Sequence, residues 1–158
     1  MQAGSPLRGQ QGFTYVMVMA ALLLLGIVLA VIGPRWADQS QREREAELLR
    51  VGRLYAQAIK NYRDATPGTL RQYPPDLDSL LLDTRFVGVR RHIRHLYPDP
   101  MDPRRAWGVQ RDKDGGVTGV YSLDERMPFM HQRLRDKLFE LKAVTRYSEW
   151  IFSPLNPS

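Results

Sequence analysis

No cysteine occurs in the 158 residues, which excludes disulfides, thiolate metal centres and cysteine nucleophiles together. The chain also lacks a Gly-x-Ser-x-Gly elbow, a Gly-rich phosphate loop and a His-Glu-x-x-His helix. Ser122, Asp124 and His131 are suitable residue types, but no motif joins them. An enzyme is therefore not expected. No acidic or basic side chain appears between Phe13 and Gly33. As a helix, that run of about 21 residues is roughly 31 Å long, enough to cross the hydrocarbon core of a bilayer. No Ala-x-Ala-like site closes it, as a secretory signal requires. Pro34-Arg35-Trp36 follows instead, and a charged helical pattern continues the run.

Charge is what the chain has in excess. Formal net charge is +6, and the isoelectric point is about 9.9. Much of the excess lies in Arg90–Arg94 and Arg133–Arg146. Such a balance fits nucleic acid, anionic lipid or an acidic protein, with a solvated surface the plainest reading. Orientation is weakly specified. Arg8 alone precedes the apolar run, whereas Arg35, Arg42 and Arg44 follow it, against a simple positive-inside arrangement.

Beyond Pro34 the sequence predicts one helix to about Arg63. Residues 38–47 are polar all round and are expected to be exposed or to lie between subunits, with pairs such as Arg44–Glu47 and Glu47–Arg50. From Leu48 the steps of three and four residues place Val51, Tyr55, Ala58, Ile59 and Tyr62 on one apolar face. That face needs a partner, and the C-terminal half is the candidate. Thr66-Pro67-Gly68 ends the helix. A short helix is expected over 77–82, capped by Asp76 or Asp78. A second is expected over 85–97, with Ile93, Leu96 and Val89 inward. Residues 106–111 and 117–123 read as strands around Asp112-Lys113-Asp114-Gly115-Gly116, a hairpin signal. An amphipathic helix is expected over 131–143, with Leu134, Leu138 and Leu141 inward, and a last strand over 147–152. Trp107, Tyr121, Trp150 and Phe152 read as core aromatics.

Other chemistry has weak support. Asp112 to Asp114 lacks the remaining ligands of a calcium loop, and Asp99, Asp102 and Asp124 offer no ligand spacing. No cofactor is expected; calcium is conceivable but unsupported. His92 and His95 stand three apart, yet Arg90, Arg91 and Arg94 surround them and oppose a bound cation. The same arginines form a candidate partner surface. They could also hold DNA phosphates, although only Tyr97 nearby offers a stacking aromatic, so nucleic acid is not the expected partner.

Gly12-Phe13-Thr14, the apolar run, Gly26, Gly33 and Pro34 together resemble the class III signal of type IV pilins and type II secretion pseudopilins. Landmarks farther along are similar in order: Tyr73-Pro74 with Leu77 and Leu80, Pro98-Asp99-Pro100, Trp107-Gly108, and Gly119-Val120-Tyr121-Ser122. The resemblance spans about Gly12 to Ser122 and in landmark order is nearest to the major pseudopilin. It implies a leader over 1–12, cut by a prepilin peptidase between Gly12 and Phe13, with methylation of the new N-terminus. It also implies a transmembrane and assembly helix over 13–34, a periplasmic helical stalk over 35–63, and a globular part over 64–158 packed on 48–63. The implied fold is α+β, a long helix on a small antiparallel sheet. The implied role is a single-pass inner-membrane subunit with a periplasmic C-terminal domain, assembling with other pseudopilins on an inner-membrane platform. Two departures matter. Met17 stands where the family has Glu at the fifth mature position, which points to a minor, tip or atypical subunit. Residues 123–128 do not reproduce the calcium-holding loop of major subunits. A type IV pilus or DNA-uptake minor pilin, and a static bitopic binding protein, are the alternatives.

Overall fold

A computed structural model describes residues 11–68, 71–130, 134–136 and 138–155, with backbone alone at 11, 12, 30–38 and 135. The architecture is α+β. One helix, α1 (Gln11–Asp64), precedes an antiparallel hairpin of β1 (Gly108–Arg111) and β2 (Val117–Tyr121). A shorter antiparallel pair follows, β3 (Leu134–Arg135) with β4 (Glu140–Leu141). Single 3-10 turns occur at Asp78–Leu80 and Tyr147–Glu149. The chain divides into two compact units after Gln41.

In the first unit the helical backbone continues through Gly26, Gly33 and Pro34 without interruption. In the second unit the stripe expected from the sequence forms the core face of α1. Leu48, Val51, Tyr55, Ala58, Ile59 and Tyr62 are all buried, against Trp107, Val117, Val120, Phe139, Trp150 and Phe152 among others. Each large apolar side chain removed from water contributes roughly 1.5–3 kcal/mol, so this face accounts for much of the fold. Gly52 permits the closest approach. A Cβ there would lie 2.3 Å from the Phe152 ring, so the ring packs directly on the helix backbone. Phe152 also exchanges both backbone hydrogen bonds with Val120, joining the C-terminal segment to β2.

The hairpin falls where its turn residues placed it. Gly108 faces Tyr121 and Val109 faces Val120, with a register shift between Gln110 and Arg111. In the turn, Asp112 Oδ1 accepts from the backbone N–H groups of Asp114 (3.1 Å) and Gly116 (2.7 Å). Gly115 takes φ +85°, a conformation that favours glycine. Asp112 thus serves the backbone of its own turn.

Four local expectations are corrected. The helix expected over 77–82 is one 3-10 turn, because the Leu80 carbonyl accepts from His92 and Ile93 N–H instead of continuing a helical ladder. Asp76 still helps to order this turn, accepting from the Ser79 N–H and hydroxyl. Residues 85–97 form a loop rather than a helix. Gly88 has φ +107°, and Val89 is 74 % exposed instead of inward, while Ile93 is buried as expected. In place of the helix over 131–143 there is the β3–β4 pair, with 131–133 and 137 outside the described residues. Phe139, off the helical stripe, is fully buried edge-on against Phe152, and this contact outweighs the helical period. The strand expected over 147–152 is a 3-10 turn followed by the Phe152 bridge.

Candidate functional site

The proposed processing junction and assembly helix lie in the first unit. Residues 1–10 of the expected leader are outside the described set, while Gly12 and Phe13 lie in the first turns of α1. Phe13 is 74 % exposed and Met17 65 %. Tyr15, Val16, Leu22 to Leu25 and Ile27 to Leu29 are exposed as well. Among the described residues no side chain approaches the Gly26 Cα closely enough to hinder a Cβ. Among the described residues no helix is long and apolar enough to cross a membrane. The side chains of 30–38, including Pro34 and Trp36, lie outside that set. What the described run presents is an unbroken apolar helix surface.

The polar segment after it holds a residue that the sequence did not reveal. Glu45, expected to be exposed or between subunits, is buried at 5 % exposure. Its carboxylate accepts from Phe129 N–H (2.8 Å), Met130 N–H (3.0 Å) and the Tyr147 hydroxyl (2.6 Å). A carboxylate with three donors withstands burial that an unpartnered one would not. Nearby, Arg42 lies 4.7 Å from the Phe129 ring centroid. Glu47, by contrast, makes the expected surface pair with Arg50 at 2.6 Å. No signal marked Glu45, because its donors, two backbone N–H groups and one hydroxyl, lie more than eighty residues away.

The candidate partner surface sits on the loop that replaces the second helix. Arg90, Arg91, Arg94 and His95 are exposed. The loop base is firmly built. Asp83, fully buried, accepts from Arg85 Nη2 (2.7 Å) and Nε (2.8 Å), and His92 Nε2 lies 3.0 Å from its Oδ2. With the carboxylate ionised, Nε2 carries the hydrogen of that bond. The Arg85 guanidinium, with help from His92, holds the Asp83 carboxyl well below the usual carboxylate range. Arg85 also donates to the Tyr62 carbonyl (2.9 Å) and the Thr66 hydroxyl (2.7 Å). It thereby satisfies a carbonyl in the last turns of α1. Asp83 N–H donates to the Arg90 carbonyl at 2.9 Å and closes the loop.

Other candidates have structural partners. His92 is held by Asp83, His95 stacks on Tyr97 with ring centroids 3.9 Å apart, and His131 lies outside the described residues. Ser122 donates to Asp99 Oδ2 at 2.6 Å in a buried pair, and Asp99 Oδ1 accepts from Met101 N–H. Asp124 receives Arg126 at 2.7 Å. Among the described residues no group of three or more His, Asp or Glu side chains is placed to hold a metal. Tyr55 donates to the Tyr97 carbonyl (3.0 Å), and burial pushes its hydroxyl up to about 12. Trp107 Nε1 donates to the same carbonyl at 2.8 Å, consistent with a core role.

No family model matches the chain, and neither a curated protein nor a solved structure matches it.

Proposed function

We propose that this chain is a structural subunit of the pseudopilin kind, built to assemble through its N-terminal helix into a periplasmic filament of a type II protein secretion system. The observation that carries the reading is the Gly12-Phe13 junction at the head of an uncharged apolar run. That run is continuous, within α1, with a segment whose apolar stripe is buried in an α+β core. One helix thus joins an apolar handle to a folded cargo-facing part.

On this reading the precursor is a single-pass inner-membrane protein. A prepilin peptidase removes the leader, and the helix moves from lipid to the helices of neighbouring subunits on the assembly platform. Both environments are apolar, so packing and interhelical hydrogen bonds drive the transfer more than water exclusion does. Gly26, Gly33 and Pro34 supply residues of low helix propensity along the handle. Met17 removes the acidic side chain that this kind of subunit ordinarily carries. An uncharged position is easier to accommodate in lipid, but it offers no counter-ion to a neighbour's N-terminal amine. That suits a minor or tip subunit better than a major one.

The test is N-terminal sequencing of the membrane-extracted protein. The expected result is a methylated Phe13 as first residue, and Gly12→Asp should leave the uncut precursor. A native protein still carrying residues 1–12, or a Gly12→Asp variant processed normally, overturns the reading.

A further inference from the structure

The loop closed by Asp83 and Arg85 carries two features that the folded core does not use. The first is apolar. Val87 has 110 % of its reference exposure and Val89 has 74 %, on either side of Gly88 with φ +107°. Two β-branched apolar side chains are thus held out at a turn. The second is cationic. Arg90, Arg91 and Arg94 are exposed, and none of them forms an ion pair with an acidic side chain among the described residues. The carboxylates flanking them in sequence, Asp83 and Asp99, are both buried, Asp83 occupied by Arg85 and His92 and Asp99 by the Ser122 hydroxyl and the Met101 N–H. Arg90 lies over Phe86, 4.3 Å from the ring centroid, which ties the cationic shoulder to the apolar tip.

A tip fixed at its base needs little ordering to bind, so the usual entropic cost of docking a loop is small here. Charge decides the occupant. A second copy brings net charge +6 of its own, so self-association through this loop is electrostatically disfavoured. A surface that accepts shallow apolar insertion and supplies many negative charges fits both features. We propose that residues 86–94 dock this unit onto an anionic lipid surface, with Val87 and Val89 entering the interface and Arg90, Arg91 and Arg94 on the headgroup phosphates. Each arginine near such a surface contributes about a fivefold gain in partitioning, and the three together about a hundredfold. Binding is therefore reversible and weakened by salt. The proposal goes beyond the assembly reading and does not need it.

The absence of cysteine makes the test clean. Val87→Cys in the full chain carries an environment-sensitive dye, with Gln110→Cys on β1 as the control position. The protein is reconstituted in phosphatidylcholine vesicles with or without phosphatidylglycerol. The expected result is a blue shift at position 87 only when phosphatidylglycerol is present, reversed by salt, with position 110 unchanged. Replacing Arg90, Arg91 and Arg94 together by Gln should abolish the shift at the phosphatidylglycerol fraction that gives half of it in the parent. These exposed side chains lie outside the core, so the variant should fold, and unchanged near-ultraviolet circular dichroism checks that. A dye that reports water in both lipids overturns the proposal. So does an equal response in the triple variant, or a shift obtained with polyglutamate but not with phosphatidylglycerol, which would assign the loop to an acidic protein. N-terminal sequencing is read separately, so loss of the filament reading leaves this result standing, and the reverse also holds.

Discussion

Glu45 and Gly52 stand seven positions apart on α1 and do opposite work, one by adding acceptors and the other by adding nothing. Removing the Glu45 carboxylate strands two backbone donors and the Tyr147 hydroxyl in a buried place. Glu45→Ala should therefore cost about 2–4 kcal/mol, read as a lower urea midpoint. Glu45→Gln keeps the shape and one acceptor oxygen and should cost less. An alanine variant as stable as the parent would show that these three bonds contribute nothing net. At Gly52, alanine gains about 1 kcal/mol of helix propensity. Its methyl, however, falls 2.3 Å from the Phe152 ring. Overpacking of that kind costs roughly 1–3 kcal/mol, so Gly52→Ala should be neutral to destabilising, never stabilising. Hydrogen exchange at Val120 and Phe152 amides should quicken in the variant, since the ring must shift. Neither role was legible in the sequence. Glu45 sat in a run of alternating charges, and Gly52 looked like a tolerated helix glycine, because both depend on residues about a hundred positions away.

The loop over 83–92 shows how one ion pair sets the shape of a segment. Asp83 is fully buried and its carboxyl is depressed by Arg85 first and by His92. A depressed carboxyl stabilises the fold at pH values above its unfolded value of about 3.9 and loses that contribution as pH falls toward the folded value. Thermal unfolding of the parent should therefore drop steeply below about pH 4, and Asp83→Asn, less stable at neutral pH, should show a shallower acid limb. Parallel acid limbs in the two proteins would remove Asp83 as the cause. The same network explains the missing helix over 85–97. The Leu80 carbonyl is taken by His92 and Ile93 N–H, and Arg85 is drawn to the end of α1. Helical spacing of apolar residues was present there and over 131–143, but in both segments long-range partners outbid the local period. The hairpin turn had no such competitor, and its Asp and Gly residues fixed it where the sequence placed it.

The core of the second unit begins with Glu45 and Leu48 on α1, which locates the shortest fragment that can fold. Residues 39–158 should give a cooperative thermal transition with near-ultraviolet signals from Trp107 and Trp150. A fragment starting at Arg50 should not, having lost the Glu45 bonds and Leu48. Equal cooperativity in both would show the clamp to be dispensable. The apolar handle, the stripe from Leu48 to Tyr62 and the β1–β2 turn were all written locally, in charge absence, in steps of three and four, and in turn residues. Such signals need no partner to be read. Where Glu45, Phe139 and Arg85 find their contacts was not, since each joins segments well apart in the chain. Those pairings exist only once the helix face is covered, because burial is what makes a lone carboxylate seek donors and an off-stripe phenylalanine seek another ring.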